Sequence, residues 1–274
     1  MRKMNNHTLS FKDYFQRQMQ IPNFNQDKLR LNILISGLGG TGTHIALACV
    51  RLGVKTIKII DNDIIEPSNL NRQVLYKKHQ VGKRKSQIAE KQLEDFNLTS
   101  NIESYDFDIF RNWQSFLEQL KNSDFIFCCL DLPIIKRLAV ASACLFFKKP
   151  MIYAGIDVVN ANSGMILYQA PEGNPCYECM ELCLTQLNPK FLSLFQPNYI
   201  IKQDEIKIDE IQEIPNFFSS SNYYIASIIS NLAVNLMIQN IQSWIKPPNR
   251  IIFDAYNWEL SKFFLNRNKY CKIC

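Results

Sequence analysis

Leu31-Asn32-Ile33-Leu34-Ile35-Ser36, then Gly37-Leu38-Gly39-Gly40-Thr41-Gly42, then His44 to Leu52, then Thr56 to Ile60 ending in Asp61-Asn62-Asp63: this stretch decides the fold. Its order is apolar run, glycine turn, helix-like run, second apolar run, acid. That order predicts a nucleotide-binding βαβ unit. Each part has its own physical reason. Glycines let the turn close tightly and let backbone N–H groups approach a phosphate. The following helix N-terminus adds partial positive charge. A carboxylate at the end of the second strand can accept hydrogen bonds from a ribose. Alone, the pattern is shared by hydride-transfer enzymes, flavoproteins and methyltransferases.

Downstream, Gln87 to Phe96 reads as a helix with Ile88, Ala89, Leu93 and Phe96 on its apolar stripe. Lys83, Arg84 and Lys85 are expected in its first turn, where cations oppose the helix dipole and a bound polyphosphate would explain them. Ile102 to Phe107 is a predicted strand and Trp113 to Leu120 a helix. Phe125 to Leu130 is a continuous apolar run, as in a strand buried on both faces, and it ends at Asp131. A helix from Ile134 to Phe147 and a strand from Met151 to Ala154 follow. Strands alternating with helices predict a mostly parallel sheet covered on both sides, an α/β Rossmann-like fold. Gly37, Asp61 and Asp131 all fall at carboxyl ends of strands and should share one crevice.

Upstream, Ser10 is a predicted helix N-cap with Asp13 in the first turn, and Phe11, Tyr14, Phe15 and Met19 are expected on one face. Residues 1–30 then form an N-terminal helical arm and 31–160 the nucleotide-binding half. Residues 161–274 form a second half of the same domain. There, Gly164 to Gln169 predicts an antiparallel strand, Asn222 to Ile238 a helix, and Arg250 to Phe253 and Glu259 to Leu265 two more strands. Residues 184–221 have no clean period and read as a flexible crossover or lid.

The chain has 274 residues, 47% apolar and 20% charged, with net charge +6. These values are ordinary for a soluble globular domain. The positive balance suits anionic ligands without implying nucleic acid as a partner. No apolar h-region follows the basic N-terminus, and Ile225 to Ile238 reads as a buried helix rather than a membrane span. The expected location is the cytoplasm. Nine cysteines without an export signal argue for thiols or metal ligands, not disulfides.

Cys176-Tyr177-Glu178-Cys179 and Cys271-Lys272-Ile273-Cys274 form two CxxC pairs. Two such pairs predict a structural, tetrahedral, all-thiolate Zn²⁺ site that fastens the C-terminal end to the middle of the chain. A redox role for one pair lacks the surrounding fold it would need. Cys49, Cys128, Cys129 and Cys144 lie in apolar segments and read as inert core thiols. Cys183 is the open case, either a neighbour of the knuckle or an acyl-accepting thiol.

More specific than the glycine turn are Pro67-Ser68-Asn69-Leu70-Asn71-Arg72-Gln73 and Val81-Gly82-Lys83-Arg84-Lys85. On these the sequence resembles the ThiF/MoeB/HesA adenylyltransferases and the adenylation domains of ubiquitin-activating E1 enzymes. The resemblance runs from about Phe11 to Cys274, apart from Leu184 to Ser221, and includes both CxxC pairs. It implies ATP-dependent adenylation of a C-terminal carboxylate on a small ubiquitin-like or sulfur-carrier protein ending in Gly-Gly. It further implies that Arg72 and Lys85 hold the phosphates, with Gln73 orienting Arg72. Asp131 would bind Mg²⁺ and Asp61 the ribose, while Asp63 and Asn69 would support the nucleotide pocket. Gly37, Gly39, Gly40 and Gly42 would make room for the ATP. Arg17, in an Arg17-Gln18-Met19 element, would reach the phosphates of a second subunit in a homodimer; otherwise it is a solvated surface arginine.

Three other functions stay open on the sequence. A tRNA-modifying dehydratase of the same superfamily fits the basic charge, but not the cysteine pairs. An NAD-dependent oxidoreductase fits the glycine turn and Asp61, but leaves Arg72 and Lys85 unexplained. A non-catalytic E1-like scaffold would not need Asp131, Arg72 and Lys85. A microcin-type peptide-modifying enzyme belongs to the first class, but its accessory N-terminal domain is not expected before Phe11.

Overall fold

The computed structural model describes residues 10–131, 134–157, 161–172, 175–180, 221–268 and 271, with only the backbone at 134 and 135. Cys183, Cys274 and residues 184–220 lie outside the described residues. Among the described residues, eight strands form one sheet. They are β1 (Asn32–Ser36), β2 (Thr56–Ile60), β3 (Asn101–Tyr105), β4 (Phe125–Cys128), β5 (Met151–Ile156), β6 (Ser163–Gln169), β7 (Arg250–Asp254) and β8 (Glu259–Phe263), in spatial order β3-β2-β1-β4-β5-β6-β7-β8. The first five are parallel. From β5 onward each pairing is antiparallel. The expected mostly parallel sheet with antiparallel extension is therefore what the chain builds.

Burial explains the strands. All five residues of β2 and all four of β4 are buried, because helices cover both sheet faces. One face carries Ile33, Ile35, Ile57, Ile59 and Phe127 against α2 (Gly40–Leu52), α3 (Lys85–Phe96) and α7 (Tyr223–Gln242). The other carries Leu34, Ile60, Ile126 and Cys128 against α4 (Trp113–Lys121), α5 (Ile134–Phe146) and the short α6 (Tyr177–Met180). Alternate residues of one strand thus feed two cores. The one charge in β2, Lys58, is buried and donates from Nζ to the Asn122 carbonyl at 3.2 Å, capping the end of α4.

The 20-residue α7 is long and apolar enough to cross a membrane. Here it is a core helix: Ile225, Ile229, Ala233, Val234 and Met237 pack into the sheet core, and Ser230 Oγ donates to the Thr41 carbonyl of α2 at 3.0 Å.

Two expectations fail locally. Ser10 and Asp13 do form the predicted cap, with Ser10 N–H donating to Asp13 at 2.7 Å. But α1 spans only Phe11–Phe15, so Met19 does not continue its stripe. Phe15 is buried while Tyr14 and Met19 are exposed. The chain turns away because Gln18 and Gln26 leave the helical path to donate to the Leu52 carbonyl at 3.1 and 2.9 Å, satisfying the C-terminus of α2. Likewise, Lys83 and Arg84 are not in the first turn of α3. Arg84 is its N-cap, paired through an isolated bridge with Ile64, and the Lys83 carbonyl accepts from Ile65 N–H at 2.9 Å. Extended backbone pairing there outweighs early helix formation.

Candidate active site

After β1 the chain moves one way across the sheet, through β2 to β3, and then returns to β4 on the other side of β1. Beyond the carboxyl ends of β1 and β4 a crevice must open, since the following connections diverge. A cleft of about 460 Å³ lies there. Its walls include Gly37, Gly39, Gly40, Asp61, Asp63, Asn69, Arg72, Gln73, Lys85 and Asp131. Of the expected ligand-binding residues, only Gly42 and Arg17 are not in that wall.

Gly42 matters from behind. A Cβ at position 42 would collide with the Gly37 carbonyl oxygen. Gly37 itself has φ +91°, and a Cβ there would stand 2.7 Å from the Cys129 carbonyl oxygen. Both positions need glycine for the turn to fold back onto α2. Gly42→Ala should therefore cost about 3 kcal/mol or more in urea unfolding. A loss below about 1 kcal/mol would mean that the turn has slack.

Among the described residues one acid and one cation of the cleft are paired, Asp63 and Lys85. Asp61 accepts from Leu38 N–H at 2.6 Å and from Asp63 N–H at 2.8 Å, so it braces the glycine turn as well as facing the cleft. Lys85, whose side chain is 7% exposed, bonds Asp63 at 2.9 Å. Asn69 is buried and its Oδ1 accepts from Glu66 N–H at 3.0 Å, fixing the loop that carries Arg72. Arg72 donates from Nη1 to the Ser68 carbonyl at 2.8 Å and to Asn71 Oδ1 at 3.0 Å. Gln73 was expected to orient Arg72 but is not among these partners. The backbone of the loop and Asn71 hold Arg72 instead. The Gln73 side chain is buried toward Gly39, and its Oε1 has no hydrogen-bond partner among the described residues. Asp131 is exposed, and no cation pairs with it among the described residues.

Desolvation raises the Asp61 carboxyl above the ordinary 3.8; Lys85 opposes the shift, Asp63 adds to it, and the two N–H bonds lower it. An ionised Asp61 thus weighs on stability above its folded pKa. That cost is lifted as pH falls through the folded pKa toward 3.8. Compared with Asp61→Asn, the wild type should gain unfolding free energy between about pH 7 and about pH 4. A parallel pH profile for the two proteins would contradict this.

Several residues were missed by sequence reasoning. His44, in the first turns of α2, is buried edge-on to Tyr223 at 5.2 Å, close to the Arg72 backbone; burial lowers its pKa. The segment Phe107 to Phe110 forms one cleft wall, with Lys136 5.5 Å above the Phe110 ring. Arg137 forms another wall with Tyr153. The only sequence signal for Arg137 was a charged pair, Lys136-Arg137, inside an otherwise apolar helix. Arg17 is exposed on the arm, outside the wall of its own cleft.

The cysteines do gather. Cys176 Sγ lies 3.8 Å from Cys179 Sγ and 3.5 Å from Cys271 Sγ, and all three sulfurs fall within 4.8 Å of one another. Asn268 N–H donates to Cys179 Sγ at 3.3 Å.

A family model described as "ThiF family" matches residues 15–273. The chain is 29% identical over 174 residues to the sulfur carrier protein adenylyltransferase of Thermus thermophilus, covering 61% of this chain and 63% of that protein. It is 32% identical over 174 residues to the adenylyltransferase and sulfurtransferase uba4 of Emericella nidulans, covering 60% of this chain and 35% of that one. The matches thus take in less than two thirds of the length of these curated relatives. Among solved structures, that of Escherichia coli MccB is similar with a TM-score of 0.75 at 23% identity, over 97% of this chain and 73% of that chain. On the extent of the family match, this chain belongs to the ThiF family.

Proposed function

We propose that this chain is an ATP-dependent adenylyltransferase. A carboxylate oxygen of the acyl substrate attacks the α-phosphorus of ATP. The bond from that phosphorus to the bridging oxygen breaks, leaving an acyl adenylate and pyrophosphate. The observation that carries the reading is the convergence of the glycine turn, Arg72, Lys85 and Asp131 on one cleft. The nucleophile is already an anion, so the task is electrostatic: to bring it to a polyanion in line. Arg72 presents a fork of donors to phosphate oxygens, and Lys85 a buried point charge. Asp61 accepts from the ribose hydroxyls, Asp63 fixes Lys85, and Asn69 and Gln73 shape the pocket floor. Gly39 and Gly40 leave room beside the α2 N-terminus.

Asp131 suits a hydrated divalent cation, being exposed at a strand end without a cationic partner among the described residues. Mg²⁺ there would neutralise charge on phosphate oxygens. Tetrahedral zinc with Zn–S bonds of 2.3 Å requires S···S separations of about 3.8 Å. Sulfurs at 3.8 and 3.5 Å meet that requirement, and the Asn268 N–H···S bond is a fitting outer contact. Cys176, Cys179 and Cys271, with Cys274, would hold the zinc.

The acyl substrate in this reading is the C-terminal Gly-Gly carboxylate of a small β-grasp sulfur carrier or ubiquitin-like protein. The names of the curated relatives support that class. A homodimer would let the exposed Arg17 of one protomer serve its partner's cleft. The test is ATP–pyrophosphate exchange with candidate carrier proteins. Exchange that needs an intact Gly-Gly terminus is expected. No exchange with any carrier, together with NADH turnover, would overturn the reading.

A further inference from the structure

Arg137 lines the cleft but is only 7% exposed. It rises from α5, just beyond the carboxyl end of β4. Its Nε donates to the Leu130 carbonyl at 2.9 Å, and its guanidinium lies 4.4 Å from the Tyr153 ring centroid. The ring of Tyr177 stands edge-on to that of Tyr153 at 5.7 Å. These groups are neutral. Among the described residues no carboxylate pairs with Arg137, and the ion pairs present are Arg84–Asp106 and Lys85–Asp63. A buried cation without a counter-charge is costly unless an anion completes it.

The position of Arg137 says which anion. Asp61, Arg72 and Lys85 belong to the β1–β2 end of the cleft, where the phosphates are proposed to bind. Arg137 belongs to the opposite end, against β5. From β2 to β5 is three strand spacings, about 14 Å. The cleft lining also includes Ala154, Gly155, Ile156 and Ser221, which carry no charge. A slim, uncharged tail fits that lining, and its charged end meets Arg137.

We propose that Arg137 is the acyl-substrate subsite. Its guanidinium receives the terminal carboxylate of the incoming chain and holds it beside Asp131, while the Leu130 carbonyl and the Tyr153 ring keep the guanidinium in place. This rests on the adenylation reading above, and the two fail separately in the following experiment. The probe is N-acetyl-glycyl-glycine as the free acid, compared with its C-terminal amide. Both are titrated into the full chain saturated with a non-hydrolysable ATP analogue and Mg²⁺. Wild type should bind the acid at least about tenfold more tightly than the amide, a difference in the range of one charge-assisted bidentate contact. Arg137→Gln should abolish that preference while leaving affinity for the ATP analogue within about twofold. Arg137→Lys, which keeps the charge and fills the same path, should retain part of the preference and guards against a Gln variant that does not fold. No preference for the acid in wild type, or an equal preference in Arg137→Lys and Arg137→Gln, overturns the subsite. So does a loss of ATP-analogue affinity of more than about tenfold in Arg137→Lys, because Arg137 would then belong to the phosphates. Failure of wild type to bind the ATP analogue at all overturns the adenylation reading itself.

Discussion

Arg72→Ala should lose ATP–pyrophosphate exchange by about 10²- to 10³-fold, the range for removing one preorganised donor from developing transition-state charge. Its fold should survive. Arg72 is half-buried on a loop whose shape is set elsewhere, by Asn69 and by the Gln73 N–H to Asn69 carbonyl bond of 2.9 Å. Unfolding free energy should therefore change by less than about 1 kcal/mol. The side chain is also positioned for the task by its neighbour. A Cβ at Gly40 would stand 3.4 Å from Arg72 Cδ, so the arginine stem lies against the end of the glycine turn. Arg72→Lys should recover only a minor part of the rate, because a point charge cannot reproduce the fork or the two bonds to Ser68 and Asn71. Exchange at wild-type rate in Arg72→Ala would remove the electrostatic account of the cleft.

Cys176→Ser should release the metal and destabilise the fold by an amount on the order of 3 kcal/mol or more, seen as a fall in melting temperature of about 6–12 °C. The reason is topological. Cys271 follows β8, at one edge of the sheet, while Cys176 precedes α6 and Cys179 lies within it, and α6 packs in the core that α5 covers. A metal there closes a loop of the chain and buries Tyr177 against the second core. Buried Gln169 adds a brace, accepting from Tyr177 N–H at 2.7 Å and donating to the Ala141 carbonyl at 2.9 Å. Because Tyr177 also touches the Tyr153–Arg137 stack, metal loss should blunt the preference for a free acid as well. Zinc stoichiometry by elemental analysis and thermal melting check the pair of effects. A native protein without metal, or Cys176→Ser melting with wild type, would contradict a structural metal site.

The parallel sheet was legible because its strands are buried on both faces. Ile33 to Ile35 and Phe125 to Cys128 are apolar without interruption, Ile57 to Ile60 is broken only by Lys58, and the glycine turn fixes where the first of them ends. Asp61 and Asp131 were legible as acids at strand ends, and Arg72 and Lys85 through the resemblance carried by their loop motifs. What did not show was any feature decided by contacts between distant segments. Met19 leaves its stripe because Gln18 and Gln26 are drawn to the end of α2. Lys83 and Arg84 leave the helix because Ile64 and Ile65 pair with them. Arg137 sits in an apolar helical run, and only the packing of β5 and α6 beneath it turns a surface-type residue into a buried cation facing the cleft. His44 is similar: its sequence context is an ordinary helix start, and its place behind Arg72 depends on α7.

The most direct measurement is a crystal structure of the chain with a non-hydrolysable ATP analogue and Mg²⁺. The account predicts phosphates along Gly37 to Gly40 between Arg72 and Lys85, the metal at Asp131, and the ribose on Asp61. Triphosphate bound anywhere else, or a nicotinamide dinucleotide displacing it from that cleft, would contradict it.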